Sequence, residues 1–385
     1  MNTYIAKTLQ GFEPILSQEL EQLGAQNITT LKRGVQFDGD KRLLYKANLW
    51  LRTAVRILVP IHQFEAENEE ELYQGIKAMD WSEHLSAGDT LAVDSTVFST
   101  IFTHSHYISL KTKDAVCDRF RETAGKRPNV DLETPTLRIH IYINQTHVGV
   151  YLDSSGDPLF KRGYRSNQHI APINEVLAAG LLLHSGWKGE GHFFDPFCGS
   201  GTFLIEAAMI AYNIAPNRLR YTFGFHTWRD FDDKLWQEVR LEANHAVRPY
   251  KGRIEGSDVS KHAIELAEEN IERARLFEKI EVTQMDFRNV PKRHGAGMVV
   301  TNPPYGERME TDTDILDFYA SIGDMFKQCL IGYRCALISS HKEALRGFGL
   351  RPTQRIACMN GKLECEFAIY DIYEGTKRVF EDKTE

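Results

Sequence analysis

The chain reads as an α/β protein in which a C-terminal, doubly wound, Rossmann-like parallel sheet follows smaller α+β modules. Three observations predict this. From residue 192 onward, short apolar runs alternate with helical patterns, the rhythm of parallel strands joined by crossover helices. The first run ends in Asp195-Pro196-Phe197-Cys198-Gly199-Ser200-Gly201-Thr202, a glycine-rich turn that opens a helix. A later run, Met298-Val299-Val300, leads into Asn302-Pro303-Pro304-Tyr305 and then Gly306, the pattern of a buried strand entering a stiff turn.

The elements follow in order. Residues 4–9 read as a strand and 13–23 as a helix closed by Gly24. A short strand at 34–37, a helix at 41–49 and a strand at 55–64 complete a unit of the split βαβ kind. The acidic run 65–71 reads as a helix start, with the helix at 69–79. A strand at 90–97, a helix at 109–124 and strands at 136–143 and 147–153 come next, the last two joined by an Asn144-Gln145 turn. Gly156-Asp157-Pro158 breaks the pattern, and a helix at 172–184 leads into the final region. There the strands fall at 192–195, 253–258, 280–284, 298–301, 334–339, 354–359 and 365–372, with helices such as 203–212 and 261–275 between most of them. The charged tail 374–385 is expected to fray.

Size and composition limit the possibilities. At 385 residues the chain suits two or three domains, and 42% hydrophobic residues indicate globular packing. No apolar run reaches the ~18 residues a membrane helix needs, and the N-terminus shows no signal-peptide pattern. Six scattered cysteines form no CxxC pair, which argues against zinc and a disulfide framework and for a reduced, cytoplasmic setting. His104 and His106 have no third ligand nearby, and no metal is expected. The net charge of −7 excludes indiscriminate phosphate binding but leaves room for local patches. One candidate patch is Lys111, Lys113, Arg119, Arg121, Lys126 and Arg127; a second is Lys161, Arg162 and Arg165. Each reads equally well as a solvated face.

The motifs carry the chemistry. Two successive prolines remove two N–H donors, so carbonyl oxygens and the Asn302 amide face outward as acceptors, with a ring following in Tyr305. Such a site suits a flat base bearing an exocyclic amine. Acceptors for its N–H bonds favour the pyramidal, nucleophilic form that develops in the transition state, and a stacked ring fixes the angle of attack. The glycine turn lacks both the GxGxxG pattern and a following lysine, so a phosphate fits poorly. The strand-end acids Asp195 and Asp258, with Asp286 after the third strand, instead suit ammonium, hydroxyl and amine donors. Together these features describe a site for S-adenosylmethionine, which leaves as S-adenosylhomocysteine. Cys198 reads as a small packed thiol, because no histidine pairs with it locally. Glu307 and Arg308 are either solvated or in reach of substrate phosphate.

With these residues in place, Asp195-Pro-Phe-Cys-Gly-Ser-Gly and Asn302-Pro-Pro-Tyr-Gly resemble the motifs of the class I amino-methyltransferases. Ser109-Leu-Lys-Thr-Lys-Asp-Ala, Arg127-Pro128 and Leu159-Phe-Lys-Arg-Gly-Tyr-Arg165 resemble the THUMP-containing rRNA guanine-N2 methyltransferases of the RlmL/YpsC type. The resemblance implies a ferredoxin-like domain at 1–66, a THUMP RNA-binding domain at 67–155, a linker and helix at 156–184 and a methyltransferase domain at 185–385. It implies that Asp195, Pro196, Phe197, Gly199, Gly201, Thr202, Asp258, Asp286 and Asn302 hold the cofactor, and that Asn302, Pro303, Pro304 and Tyr305 act on the target amine. Lys111, Lys113, Lys126, Arg127, Arg162 and Arg165 would meet RNA, 23S rRNA or a ribosomal precursor particle. Some relatives carry a second methyltransferase domain beyond this point, which leaves the target nucleotide open. An aromatic-rich insertion at 211–252, with Tyr221, Phe223, Phe225, Trp228, Phe231 and Trp236, reads as a helical lid packed on its domain rather than a base-stacking surface. Two rival functions stay open: a DNA or RNA adenine-N6 methyltransferase, which uses the same turn, and an RNA-binding assembly factor with a silent methyltransferase fold.

Overall fold

A computed structural model describes residues 1–165, 172–304 and 312–374. It divides into two compact units. The first comprises Met1–Lys161 with Arg220–Ala243, and the second comprises Arg162–Leu219 with Asn244–Glu385.

The first unit is built on β1 (Asn2–Thr8), α1 (Glu13–Leu23), β2 (Gln26–Leu31), β3 (Gly34–Gly39), α2 (Lys41–Trp50) and β4 (Ala54–Glu65). It continues through α3 (Glu69–Ala78), β5 (Thr90–Phe98), α4 (Ser105–Ala124), β6 (Asn129–Val130), β7 (Leu137–Asn144) and β8 (His147–Asp153). Its strands form one eight-stranded sheet, ordered β2-β3-β1-β4-β8-β7-β5-β6. The junction is β4 against β8, where Pro60 faces Tyr151. The expected ferredoxin-like and THUMP modules therefore share one sheet. Side chains alternate along it. Tyr4 and Ala6 of β1 are buried, while Thr3, Ile5 and Lys7 between them are only half-buried. Leu72, Ile76, Val116 and Phe120 of α3 and α4 pack with Ile139, Ile141 and Val150 in one core.

Local chemistry accounts for the helix ends. Gly24 closes α1 in the left-handed conformation at φ 89°. Asn68 caps α3 by accepting from the N–H groups of Glu70 and Glu71, with three glutamates in the first turn. The hairpin turn between β7 and β8 is Gln145-Thr146, one residue later than expected, and Gln145 adopts φ 54°.

The second unit contains α5 (Glu175–His184), β9 (His192–Asp195), α6 (Thr202–Ala211), β10 (Ile254–Asp258), α8 (Lys261–Arg273), β11 (Glu281–Gln284) and β12 (Arg293–Thr301). It ends with α9 (Asp312–Cys329), β13 (Leu330–Ser339), α10 (Lys342–Arg346), β14 (Gln354–Asn360) and β15 (Leu363–Asp371). Between α6 and β10 in the chain, α7 (Asp233–His245) falls almost wholly in the first unit. The strand order is β11-β10-β9-β12-β13-β15-β14. Five strands run parallel, and β15 pairs antiparallel with both β13 and β14, which corrects the all-parallel expectation at that edge. The order reverses direction between β9 and β12. In an open sheet of this kind the crevice for a ligand lies at such a switch point, beyond the carboxyl ends of the strands.

The aromatic insertion corrects the domain expectation. Residues 220–243 belong to the first unit, although they lie within the stretch expected to form the methyltransferase domain. Phe223, Phe225 and Trp236 are buried, with the Phe225 ring 4.5 Å from Tyr45 of α2 and 5.3 Å from Trp236. Arg42 pairs with Glu238 at 3.0 Å and also with Glu242. The Arg220 guanidinium donates to the carbonyls of Ser155 at 3.0 Å and Asp157 at 2.9 Å. These rings are core side chains of the first unit, not a base-stacking surface.

Candidate active site

A cleft of about 470 Å³ opens where β9, β10 and β12 end. Asp195, Asp258 and Asn302 line it at those ends, and Gly199, Ser200 and Thr202 line it from the glycine turn. Phe197, Phe203, Val259, Phe287 and Phe318 supply apolar walls, and Pro172 and Ile173 lie before α5.

Asp195 is almost fully buried. Its Oδ1 accepts from the Thr301 hydroxyl at 2.6 Å and from the Phe197 N–H at 3.1 Å. Burial, with a smaller contribution from the charge of Asp258, pushes its carboxyl up to about 7 despite those two hydrogen bonds. Asp258 accepts from the Gly199 N–H at 3.0 Å and the Ser260 N–H at 2.9 Å, so it fixes the glycine turn as well as lining the cleft. Gly199 and Gly201 take φ 52° and 81°, and beyond Gly199 there is open space where a side chain would stand. That backbone is free for a ligand to approach closely. Cys198 is buried, and burial pushes its thiol well up, so it stays protonated rather than nucleophilic.

Asn302 lies just past β12. Its Oδ1 is buried and has no hydrogen-bond partner among the described residues. Pro304 lines the cleft and Pro303 does not. Tyr305, Gly306, Glu307 and Arg308, and the tail from residue 375, lie outside the described residues.

Three of the expected residues have charged partners of their own. The Asp286 carboxylate accepts from the Arg288 guanidinium at 2.9 and 2.5 Å, which holds it below the usual carboxylate range. It lines the cleft, and its pairing with the exposed Arg288 leaves acceptor capacity on Oδ2. Arg162 is fully buried, 3.5 Å from Glu206 and 3.3 Å from Asn217, and Glu206 also accepts from the Tyr164 hydroxyl at 3.1 Å. Arg165 pairs with Glu175 at 3.0 Å and donates to the Thr202 hydroxyl at 3.1 Å. Arg162 is thus a packing group of the second unit, neutralised by a buried carboxylate, whereas Arg165 keeps about 26% of its side chain exposed beside the buried Glu175. In the first unit, Lys111 lies 3.7 Å from Glu70 and Lys113 lies 2.5 Å from Asp114, which weakens the patch on α4. Lys126 and Arg127, just beyond that helix, are exposed.

Of the apolar walls, the sequence pointed to Phe197 but not to Phe203, Val259, Phe287 or Phe318. Val259 and Phe287 each directly follow a strand-end acid, Asp258 and Asp286, and that adjacency was the available signal. Phe318 comes from α9 and had none. Among the described residues no group of three or more His, Cys, Asp or Glu could hold a metal. No helix among them is long and apolar enough to cross a membrane.

The acidic strand ends and the open glycine turn fit the ammonium and ribose hydroxyls of S-adenosylmethionine. Fold and site thus define an S-adenosylmethionine-dependent methyltransferase. Family models agree with that class. "RMKL-like, methyltransferase domain" matches residues 162–369, "THUMP domain" matches 66–153 and "RlmL ferredoxin-like domain" matches 3–58. The chain belongs to the RMKL-like methyltransferase family. It is 38% identical to slr0064 of Synechocystis sp., an inferred RNA methyltransferase, over 96% of this chain and 97% of that one. It is 37% identical to the ribosomal RNA large subunit methyltransferase K/L of Psychromonas ingrahamii, over 97% of this chain and 50% of that protein. Among solved structures, SMU.472, an inferred methyltransferase complexed with S-adenosylhomocysteine, matches with a TM-score of 0.85. That match has 30% identity and covers 97% of this chain and 99% of that one.

Proposed function

We propose that the protein is an RNA methyltransferase acting on an exocyclic base amine, guanine N2 of large-subunit (23S) rRNA, in the cytoplasm. The observation that carries this reading is the buried Asn302 Oδ1 with no partner among the described residues. A buried acceptor left unpaired costs on the order of 1–3 kcal/mol, so its place in the cleft calls for a donor supplied by substrate. The cofactor supplies an electrophilic methyl group when bound.

The chain's own residues position the reactants. Asn302 Oδ1 and the Pro303 carbonyl accept from the amine N–H bonds, most strongly as the nitrogen becomes pyramidal. Pro304 stiffens the turn, and Tyr305 stacks on the base, which must first leave its helix. Asp258 accepts from ribose hydroxyls while holding Gly199, and Asp195 faces the cationic end of the cofactor. The THUMP match and the full-length likeness to an inferred RNA methyltransferase support RNA as the substrate.

The test is methyl transfer from labelled cofactor to total RNA from a strain lacking the protein, followed by nucleoside analysis. N2-methylguanosine is expected. Label in N6-methyladenosine, in RNA or in DNA from the same strain, would favour the rival enzyme, and no label in RNA, ribosomal particles or DNA would favour the assembly factor.

A further inference from the structure

One face of the first unit's sheet carries a group of cations and rings that the active site leaves unexplained. Lys7 Nζ lies 5.5 Å from the centre of the Tyr142 ring, and Lys32 Nζ lies 5.7 Å from that of Phe98. The two rings are 6.0 Å apart. These residues come from β1, the β2–β3 turn, β7 and β5, so the sheet curls enough to bring its ends together. Phe98 is 47% exposed, although it is a large apolar side chain at a strand end. Arg33 is exposed beside Lys32.

Among the described residues, no carboxylate forms an ion pair with Lys7, Lys32 or Arg33, in a chain whose net charge is −7. The contrast with α4 is direct, since Lys111, Lys113 and Arg121 each have an acidic neighbour. Burial lowers the Lys7 ammonium pKa, and the Arg33 charge adds to it; the nearest carboxylate at this turn, Glu13, is held by the backbone N–H groups of Gly11 and Arg33. A shallow cleft of about 500 Å³ on the same unit includes Thr3, Ile5 and Pro60 of neighbouring strands.

We propose that this face binds a single-stranded stretch of the RNA substrate, with unpaired bases on Phe98 and Tyr142 and phosphates on Lys7, Lys32 and Arg33. Rings interleaved with unpaired cations match single-stranded nucleic acid, because every base offers a π-face and every linkage a negative charge. A duplex presents no free base to stack and is the weaker ligand. The inference rests on the reading of the protein as an RNA methyltransferase.

The experiment measures binding of the full-length protein to a fluorescent single-stranded RNA oligomer and to a duplex of the same length across a salt series. The variants are Phe98→Ala and the double change Lys32→Ala with Arg33→Ala, both at exposed positions. Phe98→Ala should weaken single-strand binding by roughly 5- to 100-fold, the loss of about one stacked base. The double variant should flatten the slope of log affinity against log salt by roughly 0.7 for each phosphate no longer neutralised. Cofactor affinity should stay unchanged in both. If the wild type binds single strands and both variants match it in affinity and salt slope, this surface is wrong while the RNA reading stands. If the wild type neither binds nor methylates RNA, the functional reading fails, and this inference with it.

Discussion

At the residue scale, two carboxylates make separable predictions. Asp258 holds the glycine turn through two backbone N–H groups and offers its remaining acceptor capacity to the cleft. Asp258→Ala should weaken S-adenosylmethionine binding by ~1.5–3 kcal/mol, the scale of hydrogen bonds to a charged group. Calorimetry on folded protein measures this, and unchanged affinity would remove Asp258 from the site. Asp195 is pushed up to about 7 from 3.8, so the folded state holds its proton more tightly than the unfolded chain does. Its stabilising contribution is complete below about pH 4 and is lost as pH rises through 7. Wild-type stability should therefore fall relative to Asp195→Asn across that window, by on the order of a few kcal/mol. Denaturant melts at several pH values test it, and parallel curves would refute it. Asp195, Asp258 and Asn302 were legible in the sequence because residue type and strand-end placement carry their chemistry. Arg162 was not. Its role depends on Glu206 and Asn217, which only the fold brings near.

At the scale of elements, Gly201 sets the start of α6. It takes φ 81°, and a Cβ there would stand 3.3 Å from the Ala267 Cβ of α8. Gly201→Ala should cost roughly 1–2 kcal/mol in backbone strain and move the turn that lines the cleft. A lower Tm together with weaker cofactor binding is the expected result, and a variant unchanged in both would show that the turn tolerates a side chain. Most elements could be read from periodicity and caps. The strand β2 could not, because Gln26, Asn27, Thr29 and Thr30 are exposed on a sheet edge and leave no apolar alternation. β12 and β13 begin earlier than expected, at Arg293 and Leu330, because Arg293, His294 and Gly295 read as loop residues yet belong to a strand that pairs within the sheet.

At the scale of the whole molecule, residues 220–243 connect the chemistry-bearing half of the chain back to the first unit's core. Adjacency in sequence concealed this, since the insertion is flanked on both sides by the methyltransferase unit. A fragment of residues 162–385 should carry Phe223, Phe225 and Trp236 without Tyr45 and the rest of the first unit's core, and aggregate. The same fragment with 220–243 replaced by a short Gly/Ser linker should stay soluble and bind cofactor. Light scattering with calorimetry separates the two, and a soluble, monomeric unmodified fragment would contradict the assignment of those rings to the first unit's core.

The reaction proposed here turns on the acceptor beyond β12. Single-turnover methylation by the Asn302→Ala variant, with saturating RNA and cofactor, tests it most directly. A fall in rate on the order of 10²–10³ is expected, by analogy with removal of one oxyanion-hole donor, with RNA and cofactor affinities changed far less. Near-normal turnover would mean that the Asn-Pro-Pro-Tyr turn is structural and that the amine-methylation chemistry proposed for this site is wrong.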